Sequence, residues 1–189
     1  MVKSELERIT RMAVAQNDPM AQFNLGFMYN NGFGVKKDFN VAIKWYQLAA
    51  EQGYSVAQFN LGGMYENGLG VRQDPLEALK WYRKAADLGL PDAQNSLGSM
   101  YKTGHGVQQD YREAVKWYRF AADQGYSVAQ SNLGFMYDNG FGVPQDHKEA
   151  VKWYSLAAEQ GYSVARFNLG VMYENGQGVQ RDFKEAIKW

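Results

Sequence analysis

Cysteine is absent, so the chain has neither disulfide staples nor thiolate metal sites, and this absence does not choose between a reducing and an oxidising compartment. Histidine is scarce. His105 and His147 stand 42 positions apart with no His-x-x-x-His or similar partner pattern, which leaves no metal site and no cofactor to expect; both fall at variable loop or helix-start positions and are expected to be exposed. Net charge is also missing, because 20 Lys and Arg offset 20 Asp and Glu; no overall field would gather the phosphates of a nucleic acid. No apolar run approaches the ~18 residues that a membrane span requires, so membrane insertion is not expected. The start of the chain carries Lys3, Glu5, Glu7, Arg8 and Arg11 where a signal peptide needs an apolar stretch. Location is left unassigned, with the cytoplasm favoured over the periplasm or secretion.

What is present is apolar and periodic. Hydrophobic residues make up 46% and aromatic residues 15%, too much of both for a disordered chain, so a packed core is expected. The five tryptophans are Trp45, Trp81, Trp117, Trp153 and Trp189, each 36 residues after the last. On the same step recur Ala21, Ala57, Ala93, Ala129 and Ala165; the Leu-Gly pairs beginning at Leu25 and Leu61; Tyr29 and Tyr65; and the Gly-x-Gly-Val turns beginning at Gly32 and Gly68. Self-similarity at such a period marks a repeat architecture. The chain is divided into an N-terminal capping helix over 1–17, repeats over 18–53, 54–89, 90–125 and 126–161, and an incomplete repeat over 162–189, together one solenoid domain. The first segment reads as a worn half-repeat, because Glu5, Ile9 and Ala13 fall on Glu113, Trp117 and Ala121 when shifted by three periods. A terminal cap is what stacked repeats need to keep an apolar end face out of water.

Each repeat reads as two helices. In the second, Ser55 with Gln58 suggests a capping box, and Tyr54 with Phe59 a hydrophobic staple. Ala57, Leu61, Met64 and Tyr65 follow the i, i+4, i+7, i+8 spacing of one helical stripe, and Asn67-Gly68 ends it. Asp74, Pro75 and Glu77 then mark a second start: a preferred N-cap, a proline where no amide bond is lost, and an acid that completes a box. Ala78, Trp81, Tyr82 and Ala85 form its apolar stripe, and Gly89 closes it. Glu77 and Lys80 pair on the solvent side, as do 113/116, 149/152 and 185/188. Burying one indole removes about 150–250 Å² from water, roughly 4–6 kcal/mol gross at about 25 cal/mol/Å², so one tryptophan per repeat is expected to anchor the stack.

The stretch from Ala57 to Gly89 reads Ala-x-x-x-Leu-Gly-x-Met-Tyr-x-x-Gly-x-Gly-Val-x-x-Asp-x-x-x-Ala-x-Lys-Trp-Tyr-x-x-Ala-Ala-x-x-Gly. It resembles the Sel-1-like repeats, relatives of the tetratricopeptide repeats, and the resemblance covers Asp18 to Trp189. It implies an all-α fold, a right-handed α/α superhelical solenoid of antiparallel helix pairs. It also implies that first helices line the concave side and that the chain is a scaffold or adaptor for a protein or peptide, not an enzyme. Bacterial members of the family are often tied to signalling, envelope or host-contact roles.

At 100° per residue from Ala21, the positions Leu25, Met28 and Tyr29 lie within about 80°, whereas Phe23, Phe27 and Asn30 lie at about 180–240° and face away from the core. Core positions repeat, and these outward ones vary. The candidate partner-binding residues are therefore Phe23, Phe27 and Asn30; Phe59 and Glu66; Asn95, Ser99 and Lys102; Ser131, Phe135 and Asp138; and Phe167, Val171 and Glu174. Aromatic patches toward both ends and a more polar middle suit an extended peptide or a helix. The competing reading, given equal weight, is that the Phe side chains only pack between neighbouring first helices.

Ser99-x-x-Lys102 and Lys102-Thr103-Gly104 match motifs of penicillin-recognising enzymes. Those motifs come from separate elements, and here one lysine would serve both, so a hydrolase of that type is the least favoured alternative. A further alternative is architectural. The last helix, Asp182 to Trp189, stops before the Tyr, Ala-Ala and Gly of the other repeats; either further repeats follow, the favoured reading, or this end stacks against another molecule in end-to-end self-association.

Overall fold

Residues 2–189 are described by a computed structural model; Met1, the first residue of the expected cap, lies outside them. Among the described residues there are eleven α-helices and no strand: α1 (Val2–Ala15), α2 (Pro19–Asn31), α3 (Phe39–Glu51), α4 (Ser55–Asn67), α5 (Pro75–Asp87), α6 (Pro91–Thr103), α7 (Tyr111–Asp123), α8 (Ser127–Asn139), α9 (His147–Glu159), α10 (Ser163–Asn175) and α11 (Phe183–Lys188). None is long and apolar enough to cross a membrane. The chain forms two compact units, Met1–Ala93 and Gln94–Trp189. In the first, α1 packs on α2, α2 on α3, α3 on α4 and α4 on α5. In the second, α7 packs on α8, α8 on α9, α9 on α10 and α10 on α11.

Each helix pair is a hairpin closed at its turn by one backbone bond. The amides of Asp38, Asp74, Asp110, Asp146 and Asp182 donate to the carbonyls of Tyr29, Tyr65, Tyr101, Tyr137 and Tyr173 at 2.9–3.0 Å. The first helix stops at a left-handed glycine such as Gly68 (φ 67°), whose amide returns to Met64; a side chain there would be strained. The second helix starts where the Asp carboxylate accepts two amides, as Asp74 does from Leu76 and Glu77 at 3.1 Å each. Such a cap contributes about 1 kcal/mol. The expected reciprocal half of this box is not formed, because the Asp amide is already held by the Tyr carbonyl. Glu77 instead pairs with Lys80 at 3.0 Å, and 113/116, 149/152 and 185/188 repeat the pair on exposed surface.

The Ser55–Gln58 box is not formed either. Helices α4, α8 and α10 follow Tyr54, Tyr126 and Tyr162 with no side-chain cap. Gln58 is buried, and its Nε2 donates to the Ala50 carbonyl of the preceding helix at 3.0 Å; Gln22 and Gln130 make the same bond to Ala13 and Ala122, and Arg166 makes it to Ala158. The Ala50 and Ala122 carbonyls already accept the Gly53 and Gly125 amides, so Gln58 and Gln130 add a second bond to them; it is the buried glutamine amide that needs an acceptor, since a buried donor left unpaired costs about 1–3 kcal/mol. A second layer joins Gln52 to Gln22 and Gln160 to Gln130, each at 2.8 Å. The Tyr54–Phe59 staple gives way to longer-range contacts: Tyr54 packs on Phe23 and Phe59 on Tyr82, with ring centroids 5.4 Å apart in both.

The deepest side chains are the tyrosines that follow the tryptophans. Tyr46, Tyr118 and Tyr154 are no more than 1% exposed, alongside Leu25, Leu61, Leu97, Leu133 and Leu169. Each tyrosine ring lies flat on the glycine of a Leu-Gly pair: a Cβ on Gly26, Gly62, Gly98 or Gly134 would come within 2.5–2.8 Å of the ring of Tyr46, Tyr82, Tyr118 or Tyr154. The indoles are shallower than expected. Trp117 and Trp153 are buried, whereas Trp45, Trp81 and Trp189 are only half-buried. The reason is placement, since the indole reaches toward the preceding repeat. Trp81 packs on the cluster of α3 and α4, and Trp153 on that of α7 and α8. Its outer edge then meets solvent and a cation, as with the Lys84 ammonium 3.9 Å from the Trp81 ring.

Candidate binding surfaces

In the first unit, the outward positions of α2 and α4 divide into two groups. Phe23 is half-buried, with its ring 5.7 Å from Tyr46 and 5.4 Å from Tyr54, and Phe59 is half-buried on Tyr82. Phe23 and Phe59 thus each lie against a tyrosine on the second helix of their own hairpin. Phe27 is different: it is 42% exposed and lies 5.7 Å from Phe33, itself 58% exposed, so the two present a small aromatic surface. Asn30 is half-buried beside them. Glu66 turns inward and accepts the Tyr82 hydroxyl at 2.6 Å. Burial, this bond and the Glu66 charge together hold that hydroxyl well above its ordinary value, and burial does the same for Tyr46.

In the second unit, Ser131 is 4% exposed and offers no side chain to a partner. Asn95 is committed to Asn132, whose Nδ2 donates to it at 2.9 Å. The Lys102 ammonium sits 5.5 Å from the Phe135 ring, while Ser99 accepts Thr103 through its backbone carbonyl; neither arrangement is that of an activated serine. Asp138 meets His147 Nδ1 at 2.8 Å, so that histidine is partly buried and paired, contrary to the exposed position expected of it. Phe135 is half-exposed and packs near Phe141, which stacks on Tyr111 with centroids 4.9 Å apart. Phe167 is 70% exposed, Val171 half-buried and Glu174 exposed, and all three border a cleft of about 570 Å³ whose far wall is Phe183, Ile187 and Trp189. Phe33 and Phe141 were not among the expected surface residues. They occupy the middle of the Gly-x-Gly turns, where the recurring glycines drew notice and the variable residue between them did not.

Helical hairpins of one length, joined by one turn and packed through one repeated seam, define the class of α/α tandem-repeat proteins. Matches to the Sel1 repeat cover residues 19–54, 55–90, 91–126, 127–162 and 163–189. The chain belongs to the Sel1 repeat family. It is similar over 97% of its length to a protective antigen of uropathogenic Escherichia coli strains displaying an SLR fold, at 44% identity and a TM-score of 0.94, and spans 39% of that chain. It is also similar to a Sel1 repeat protein of Oxalobacter formigenes, at 40% identity and a TM-score of 0.92, covering 99% of this chain and 75% of that one. Cysteine-rich protein B of Helicobacter pylori matches 71% of this chain and 96% of its own length, at 28% identity and a TM-score of 0.55. Comparison with curated proteins returns no match. Sel1 repeat proteins serve in general as protein-interaction scaffolds of non-catalytic type.

Proposed function

We propose that this chain is a non-enzymatic scaffold that binds a protein or peptide through the outward faces of its first helices. The carrying observation is an exposed aromatic set on a fixed frame. Phe27 with Phe33 in the first unit, and Phe135 and Phe167 in the second, stand at positions that change from repeat to repeat while the residues beneath them do not. Aromatic side chains of this kind anchor peptide recognition because they bury a large area for few rotatable bonds. The test is selection of a displayed random-peptide library on the purified protein. Peptides recovered on the parent and lost on Phe27→Glu with Phe33→Glu, or on Phe135→Glu with Phe167→Glu, support the reading when the helical melt is unchanged. Recovery of no peptide would sink it.

A second reading has its own observation. Phe183 and Ile187 are 53% and 87% exposed beside Phe167, an apolar surface suited to self-association. Sedimentation over a wide concentration range distinguishes them, since this reading requires a mass that rises with concentration and falls back in Ile187→Glu.

A further inference from the structure

In the second unit, α10 departs from the first helices before it at two charged positions that border the cleft. Where Gln22, Gln58, Gln94 and Gln130 stand in the earlier repeats, this helix carries Arg166. Its Nε donates to the Ala158 carbonyl at 3.2 Å, and its terminal nitrogens have no hydrogen-bond partner among the described residues. Eight residues on stands Glu174. At the same position Glu66 accepts the Tyr82 hydroxyl and Asp138 meets His147, whereas Glu174 engages only its backbone carbonyl, which accepts from Arg181 at 2.9 Å. Both side chains are exposed. They stand about 12 Å apart along the helix at 1.5 Å per residue, too far to neutralise each other.

Between the two charges the surface is apolar. Phe167 and Val171 lie there, on the cleft whose opposite wall is Phe183, Ile187 and Trp189. Ile187, Phe167 and Phe183 are the three most exposed large apolar side chains among the described residues of this unit. A contiguous patch of this kind marks a contact surface. The order along α10, a cation, an apolar pair and an anion, selects what covers it. A two-fold contact requires a patch that carries its own complement, and this one does when the helix is reversed. Antiparallel pairing about the Phe167–Val171 step sets cation against anion twice, whereas parallel pairing sets like charges together.

We infer that α10 is the contact helix of a two-fold dimer, in which a second copy of this chain covers the cleft. Phe167 of each copy enters the cleft of the other, against Val171 and Ile187, and each Arg166 meets Glu174 of the other copy. The inference rests on the self-association reading and adds to it a contact helix, a direction and a register.

The experiment is sedimentation equilibrium of the purified chain and its charge-reversed variants. Expected is a parent that dimerises and forms nothing larger, since a two-fold contact closes on itself. Arg166→Glu and Glu174→Arg should each raise the dissociation constant at least tenfold, because one substitution turns two attractions into repulsions in a symmetric pair. An equimolar mixture of these two variants should recover the dimer, every pair across the contact then being opposite in charge. Should Arg166→Glu fail to fold, Arg166→Gln installs the residue of the earlier repeats, and combined with Glu174→Gln it should weaken the dimer no more than either change does alone. A parent dimer that Ile187→Glu dissociates and the charge reversals do not, a mixture that stays monomeric, or open-ended assembly overturns the inference and leaves the self-association reading standing. A parent that is monomeric at every concentration overturns both and gives this face to a molecule of other sequence.

Discussion

Gly62 and Gly63 are neighbours in α4 and answer to opposite demands. Gly62 faces the Tyr82 ring, where a Cβ would sit 2.7 Å from the nearest carbon; a Cβ on Gly63 would meet only the Tyr82 hydroxyl, at an ordinary contact distance of 3.6 Å. The first recurs in every repeat as Gly26, Gly98, Gly134 and Gly170, and the second does not recur at all. The inner seam of tyrosine on glycine is a steric fit that admits one residue. The outer face is held to no such fit, so residues there are free to serve a partner.

The contrast breaks most completely in alkali. The hydroxyls of Tyr46, Tyr82, Tyr118 and Tyr154 belong to the seam, and burial raises all four above the ordinary value of 10.0. A neutral group whose folded pKa is raised contributes stability in full below its unfolded pKa and loses it as pH climbs. The fold should therefore weaken above about pH 10. Tyrosinate absorbance followed beside far-ultraviolet circular dichroism should show at least these four ionising only as helix is lost. Simple titration of every tyrosine with the helices intact would contradict the seam.

Among substitutions, Tyr118→Ala should cost about 3–5 kcal/mol in a denaturant melt, as removal of a fully buried ring does. Gly62→Ala should cost about 1–3 kcal/mol through overpacking against Tyr82. Asp110→Ala, which removes a helix cap, should cost about 1 kcal/mol. Gly63→Ala sharpens the comparison by reversing sign: with room for its Cβ and a better helix former in place, it should stabilise by about 0.5–1 kcal/mol. Equal losses from Gly62→Ala and Gly63→Ala would erase the distinction between seam and face.

Much of this fold is legible in residue order. The 36-residue recurrence of tryptophan, the Asp starts and the glycine stops fix the hairpins before any coordinate is known. The Tyr–Gly seam was legible in part: Leu-Gly and Trp-Tyr both recur on the period, but nothing in a one-dimensional step says that Tyr82 lies on Gly62 twenty positions earlier. The glutamines misled for a related reason. Gln58 three residues after Ser55 has the local spacing of a capping box, and only three dimensions reveal that its side chain is buried and takes the Ala50 carbonyl as its acceptor. The face was the least legible. Helical angle places Phe23 and Phe27 on one side alike, yet Phe23 is covered by Tyr46 and Tyr54, and the pairing of Asp138 with His147 depends on how α8 and α9 are set together.

The single amide-to-carbonyl bond at each turn, from Asp74 to Tyr65 and its equivalents, closes a loop of fewer than a dozen residues. Loops so short close quickly, and the helices they join find their partners without a long search along the polymer. Each hairpin can thus close from its own two helices, without waiting for residues farther along the chain.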